Sequence, residues 1–255
     1  MSSINKKVFF LSDLHLGIPD EAKSLEREKK LVRWLDSIKD EAHAIYLMGD
    51  LFDFWFEYGS VVPKGYVRFL GKLTELVDNG IEVHYYIGNH DLWQFGYLEN
   101  IIGLTRHDEA ETIMLLGHRF HLVHGDGKGP GDKGYKFLRR VFTNKINQFL
   151  FKWLHPDIGM RLALHCSNKS RVGKMLHGKK NHHQIATQEL SIYKYAEDII
   201  LKDKDIEYFI FGHVHKPIRV KMNDKTEFVV IGDWIEHFSY VEFDGEQLIT
   251  RSLEN

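Results

Sequence analysis

Apolar and polar positions follow two different periods along the chain. Val8-Phe9-Phe10-Leu11 is a short continuous apolar run that stops at Ser12-Asp13, the pattern of a buried strand feeding a polar loop. Residues 21–39 instead place Leu25, Leu31, Val32, Leu35 and Ile38 on one side of a helix, with charges elsewhere. Ala44 to Met48 forms the next apolar run and ends at Gly49-Asp50. A second helix is predicted over about 64–79, stopped by Asn79-Gly80. Ile81 to Ile87 then runs into Gly88-Asn89. Further strands are predicted at 112–116, 119–123, 207–211, 226–231, 239–243 and 247–251, with Gly117-His118 as a hairpin turn. No internal repeat or low-complexity linker interrupts this order.

The segment after residue 124 has another character. Gly125, Gly127, Gly129, Pro130, Gly131 and Gly134 make a flexible opening loop. From Phe137 to Leu154 the pattern turns amphipathic, with Leu138, Val141, Phe142, Ile146, Phe149, Leu150 and Trp153 at helical spacing and Pro156 ending the run. A short helix is predicted at 158–165 and a longer one at about 184–202. The pattern reads as a helical cap over 127–180 inserted into a core of 1–126 and 181–255.

Charge sharpens that division. The chain has 255 residues and a formal net charge of −2. Residues 128–180 hold 13 Lys and Arg against two acids, Asp132 and Asp157, a balance of +11, which leaves 21 basic and 34 acidic residues, or −13, for the rest. The near-neutral total is therefore an acidic body cancelled by a basic segment. Hydrophobic residues at 43% and charged residues at 27% exclude a disordered or fibrous chain. The single cysteine, Cys166, excludes an internal disulfide framework and a cysteine-only zinc site. No apolar run approaches the ~18 residues that span a bilayer, and Asp13 interrupts the first run too early for a signal sequence.

Five short blocks carry the chemistry, and each follows an apolar strand-like run. They are Asp13-Leu14-His15, Gly49-Asp50-Leu51-Phe52-Asp53, Gly88-Asn89-His90-Asp91, His124-Gly125-Asp126 and Gly212-His213-Val214-His215. Ligands of α/β sheets gather beyond the carboxyl ends of strands, so these loops can converge on one site. The donors are carboxylate, amide and imidazole without thiolate, which suits Mn, Fe, Zn or Co better than calcium. A carboxylate between two histidine clusters can bridge two ions roughly 3.5–4 Å apart. Each block alone has a mundane explanation as a turn, a cap or a strand-face pair. All five in this order, each at a strand end, do not.

In that order the blocks resemble the calcineurin-like metallophosphoesterases, from residue 8 to about 240. The resemblance implies an α+β fold, a four-layer αββα metallophosphoesterase β-sandwich, here with a helical cap insertion. It also implies a site for two divalent metal ions, with Mn2+ preferred. Asp13, His15, Asp50 and His215 would hold the first ion. Asp50, as the bridge, with Asn89, His124 and His213 would hold the second. Attack on phosphorus by a hydroxide activated at the two ions follows, with no covalent enzyme intermediate. His90, directly after a ligand, is placed to stabilise phosphoryl oxygens or protonate the leaving group. Asp53 or Asp91 would orient it through its other nitrogen, although Asp53 could equally cap the following turn.

The block Gly-Asp-Leu-Phe-Asp-Phe-Trp at 49–55 is similar to that of the UDP-2,3-diacylglucosamine pyrophosphatases, cytoplasmic enzymes of lipid A biosynthesis that release lipid X and UMP. They carry a helical cap in the place of the basic segment. The resemblance assigns Asp132, Ser167 and Lys174, with Arg171 in place of an asparagine, to the phosphosugar head of a lipid-linked nucleotide sugar, together with Asn89, His90 and His213. Phe142, Phe149, Phe151 and Trp153 could wall an acyl groove or only pack the cap onto the body. The positive charge favours the pyrophosphate and an anionic membrane surface, so the expected place is the cytoplasmic face of the inner membrane. Nucleic acid is the other reader of such charge, but no recognition motif accompanies it. Gly-Asn-His-Asp replaces the family's Gly-Asn-Arg-Asp, which leaves open a phosphoesterase of the same fold acting on another phosphodiester or phosphomonoester. Of the remaining residues, His84 and His121 read as packed in strands. His177, His182 and His183 border the cleft or lie in a solvated loop. Gly232-Asp233-Trp234 turns between late strands, and oligomeric state is left open.

Overall fold

A computed structural model describes the main chain of residues 7–178 and 187–253, and the side chains of the same residues except 168–178. Two sheets stack face to face. The first has six strands in the order β11-β10-β1-β2-β3-β4, built from β1 (Lys7–Leu11), β2 (Ala42–Leu47), β3 (Glu82–Tyr86), β4 (Thr105–His107), β10 (Ser239–Phe243) and β11 (Leu248–Ser252). The second runs β5-β6-β7-β9-β8, from β5 (Glu111–Leu115), β6 (His118–Val123), β7 (Tyr208–Phe211), β8 (Ile218–Lys221) and β9 (Glu227–Val230). Val8, Phe10, Tyr46, Met48 and Tyr86 of the first sheet meet Phe120, Leu122, Ile210 and Val229 of the second. Alternate residues of the same strands face outward. Phe9, Leu11, Ile45 and Val83 pack under α1 (Glu21–Ile38) and α2 (Val67–Asp78) through Leu31, Leu35, Phe69 and Leu73. Val123, Phe209, Phe211 and Val230 pack under α6 (Ser191–Ile200) through Ile192 and Ala196. The period of two explains how one apolar run serves two cores, and the layers are αββα.

The parallel strands position the site. β1, β2 and β3 run parallel in one sheet, and β6, β7 and β9 in the other. Their carboxyl ends open on one edge of the sandwich, where all five chemical blocks lie. Helix ends are fastened by side chains: Asp20 caps α1 by accepting from Lys23 N at 2.8 Å. Glu28 of α1 caps α2, accepting from Arg68 N at 2.9 Å and Phe69 N at 3.1 Å.

Several local expectations are corrected. The short edge strands β4 and β8 were not legible, because three or four half-exposed residues give no periodic signal. The hairpin turns at Leu116-Gly117, both with positive φ as a tight turn with the right twist demands, and His118 already belongs to β6. The amphipathic run splits into α3 (Lys133–Thr143) and α4 (Lys145–Lys152). Asn144 breaks it, extended at φ −68°, ψ 124°, with its side chain accepting from Ile146 N and Asn147 N as a new N-cap. Pro156 opens α5 (Pro156–Gly178), the position where its missing N–H costs nothing, and that helix is far longer than 158–165. The helix expected at 184–202 is α6, preceded by a turn at Thr187–Glu189, and residues 184–186 lie outside the described ones.

Most of the apolar stripe on α3 and α4 is exposed, including Trp153 at 76%. Phe151, off that stripe, is half-buried, packing at 4.6 Å from Trp93, 4.8 Å from Phe56 and 6.1 Å from Phe54. Phe142 meets Trp93 at 5.7 Å, and the Trp93 indole N–H donates to its carbonyl at 2.6 Å. Packing onto the body is thus the role of Phe151 and in part of Phe142. Asp126 adds a polar tie, accepting from the Tyr135 hydroxyl at 2.5 Å and Arg139 Nε at 3.0 Å.

Candidate metal centre

Each chemical block puts its side chains at the edge by stepping out of the strand conformation. Asp13, His15, Asp50, His213 and His215 all adopt left-handed φ, between 41° and 67°. Non-glycine residues there carry strain of order 1–3 kcal/mol each, which a fold tolerates where side-chain placement is functional. The neighbouring glycines make room. A Cβ on Gly88 would lie 2.1 Å from Asp50 Oδ1, one on Gly49 2.5 Å from His124 Nδ1, and one on Gly212 2.0 Å from Ser12 Oγ.

Hydrogen bonds to the carboxylates then tie the loops to one another. Asp13 Oδ2 accepts from Ser12 Oγ at 2.6 Å and His213 N at 2.8 Å. Asp50 Oδ1 accepts from His90 N at 2.9 Å. Their second oxygens turn to the histidines. Asp13 Oδ1 lies 3.3 Å from His215 Nε2 and 3.7 Å from His15 Nε2. Asp50 Oδ2 lies 3.6 Å from His15 Nε2 and 3.4 Å from His124 Nε2. Asp13, His15 and His215 form one group of potential metal ligands, and Asp50, His124 and His213 a second.

These donor atoms fit two cations. Asp13 Oδ1, His15 Nε2, Asn89 Oδ1 and His124 Nε2 are buried with no hydrogen-bond partner, a costly condition for four polar atoms unless something binds them. His124 Nδ1 meets the Met48 carbonyl at 2.7 Å and so carries the hydrogen, leaving the Nε2 lone pair toward Asp50. The electrostatics agree. Burial disfavours the Asp50 carboxylate, but His124 and His90 outweigh it and hold its pKa well below the ordinary range. Burial likewise opposes charge on His15, yet Asp13 and Asp53 raise it to about 9. Burial, reinforced by His124, lowers His213 to about 4, keeping a neutral ring with a free lone pair. Fields that favour a proton between two carboxylates favour a metal cation there too.

The remaining expected residues fall in different places. His90 Nδ1 faces the Asp53 main-chain carbonyl at 2.9 Å and the Asp53 carboxylate at 3.7 Å. Asp91 turns elsewhere: its carboxylate accepts from Leu51 N at 2.7 Å and Gly88 N at 2.9 Å, clamping two loops together. Burial, then the nearby Asp50 charge, raises its pKa to about 6. Ser167 of α5 reaches the centre, donating to Asp53 Oδ2 at 3.1 Å. Asp132 sits exposed at the start of α3 with left-handed φ, and makes no side-chain capping bond. The Arg171 and Lys174 side chains lie outside the described ones, as do His177, His182 and His183. Trp234 is fully buried, 5.2 Å from Trp34. The residue before it was missed: Asp233 Oδ2 lies 3.4 Å from His215 Nδ1. A Gly-Asp pair after a strand, like Gly49-Asp50, was its signal.

Two sheets that present carboxylate, amide and imidazole donors from parallel strand ends define a metal-dependent phosphoesterase. The calcineurin-like phosphoesterase family matches residues 6–217, and the chain belongs to that family, whose members are hydrolases that bind divalent metals. It is 37% identical over 261 residues to the UDP-2,3-diacylglucosamine hydrolase of Porphyromonas gingivalis, covering 99% of both chains. It is 24% identical over 247 residues to the protein of the same name from Shewanella baltica, covering 97% of each.

Proposed function

We propose that the protein hydrolyses the pyrophosphate of UDP-2,3-diacylglucosamine to lipid X and UMP, with two divalent ions, preferably Mn2+, at the edge of the sandwich. The observation that carries this reading is the end-to-end likeness to a hydrolase of that name. Asp13, His15, Asp50 and His215 hold one ion; Asp50, Asn89, His124 and His213 the other. The ions supply Lewis acidity to the phosphoryl group and lower the pKa of water. The protein's own part is positional. With Nδ1 tied to the Asp53 carbonyl, His90 presents Nε2 to a phosphoryl or leaving oxygen. Ser167, Asp132, Arg171 and Lys174 bind the phosphosugar head.

Helices α3 to α5 make up the described part of the cap assigned to 127–180. Phe149 and Trp153, exposed beside Arg140, Lys145 and Lys152, are suited to acyl chains and to an anionic membrane surface. The chain then works at the cytoplasmic face of the inner membrane. No helix among the described residues is long and apolar enough to cross a membrane. Release of UMP and lipid X from the diacylated substrate by Mn-loaded protein tests the proposal, and activity on generic aryl phosphates alone would overturn it. His90, where the pyrophosphatases carry arginine, favours the second reading: a phosphoesterase of the same fold with another substrate.

A further inference from the structure

Asp233 lies outside the donor set, yet its loop grips two residues of one group. β7 and β9 are parallel neighbours, so the loops that follow them emerge side by side, one carrying His215 and the other Asp233. Gly232 permits their approach: a Cβ there would lie 2.7 Å from Pro217 Cγ and 2.2 Å from Ser239 Oγ. Asp233 Oδ1 accepts from Ile235 N at 3.3 Å, Glu236 N at 3.0 Å and His237 N at 2.9 Å, and lies 3.1 Å from His237 Nδ1. Those bonds fix the carboxylate plane and leave Oδ2 facing His215 Nδ1 at 3.4 Å. The next residue, Trp234, donates its main-chain N–H to the Asp13 carbonyl at 3.2 Å.

His215 needs such support more than its neighbours. The His15 and His124 side chains are buried, whereas 39% of the His215 side chain is exposed. An exposed imidazole can rotate, which turns Nε2 away from Asp13, or change tautomer, which puts the hydrogen on Nε2 and removes its lone pair. We propose that Asp233 is the positioning residue of the first metal site, holding the hydrogen on His215 Nδ1 so that Nε2 faces the cation beside Asp13. The inference rests on the dinuclear reading above and adds to it the residue that sets the geometry of a half-exposed ligand.

Asp233→Asn is the informative variant, because it keeps an oxygen for the three N–H groups and removes the charge facing His215. Manganese binding by calorimetry and metal content by mass spectrometry should show two ions on the native chain. In Asp233→Asn, affinity for one of them should fall about 10- to 100-fold. Activity of the variant should recover at high Mn2+, a response that a merely structural defect would not give. Unchanged affinity at both sites would overturn the inference. Fewer than two ions on the native chain would overturn the dinuclear reading instead. A second measurement needs no Asp233 variant: imidazole 15N spectra of the metal-free native protein, with His215 assigned by His215→Gln, should show the Nδ1–H tautomer. The Nε2–H tautomer would overturn the inference even if Asp233→Asn failed to fold.

Discussion

His124 donates its Nδ1–H to the main-chain carbonyl of Met48 at 2.7 Å, a bond that crosses from the second sheet to the first at the edge where the donors converge. It fixes the ring and aims Nε2 at Asp50 Oδ2, 3.4 Å away. His124→Ala should therefore lose more than the metal contact proposed for it. Activity should fall at least about 100-fold, since a metal contributes several kcal/mol of charge stabilisation. Stability should fall by about 1 kcal/mol for the lost inter-sheet bond. Steady-state kinetics, metal content and urea denaturation check the three effects, and Asp50→Ala should match the first two.

Gly88 sits where no side chain fits. A Cβ there would lie 2.1 Å from Asp50 Oδ1 and 2.4 Å from Asp50 N, so Gly88→Ala must displace the carboxylate that faces both histidine groups. Activity should drop more than about 100-fold, because an ångström of misplacement in a catalytic array costs on that order. Metal content should fall with it, which mass spectrometry would read. Gly71→Ala, on α2 with open space around it, should leave both unchanged.

What was legible in the sequence follows from how strongly each feature constrains residue type. Strands that bury both faces must be apolar throughout, so Val8–Leu11 and Ala44–Met48 stood out. Donor residues that must leave a strand at its carboxyl end mark themselves by a preceding glycine, as in Gly49-Asp50 and Gly212-His213. Asp91 misled because adjacency to His90 says nothing of direction, and its carboxylate points back at Leu51 and Gly88. Asp233 was overlooked because it belongs to a loop on a strand 18 residues beyond His215, and only the β7–β9 pairing brings them together.

Glu28 illustrates a stability role for a buried charge away from the centre. It is 4% exposed, and one oxygen accepts from two of the unpaired N–H groups that open α2. Glu28→Ala should cost about 1–2 kcal/mol, the usual loss on removing a cap. Glu28→Gln, which keeps an acceptor, should cost less. Denaturant midpoints would separate them, and equal losses would mean that charge rather than hydrogen bonding matters.

His121 should make the fold acid-sensitive. Its ring is buried between Thr112 Oγ1 at 2.8 Å and the Tyr195 hydroxyl at 3.1 Å. Burial, then the Lys128 charge, lowers its pKa from 6.5 to about 4. Above pH 6.5 the ring is neutral in both folded and unfolded chains, and its contribution is constant. Between 6.5 and 4 the unfolded chain takes up a proton that the folded one refuses, so stability falls as pH falls. The full loss is on the order of 3 kcal/mol, complete below about pH 4. His121→Gln cannot titrate, and its stability relative to the native chain should rise steadily as urea denaturation is repeated from pH 7 to pH 4.5. Parallel stability curves for the two proteins would show that His121 ionises as freely folded as unfolded.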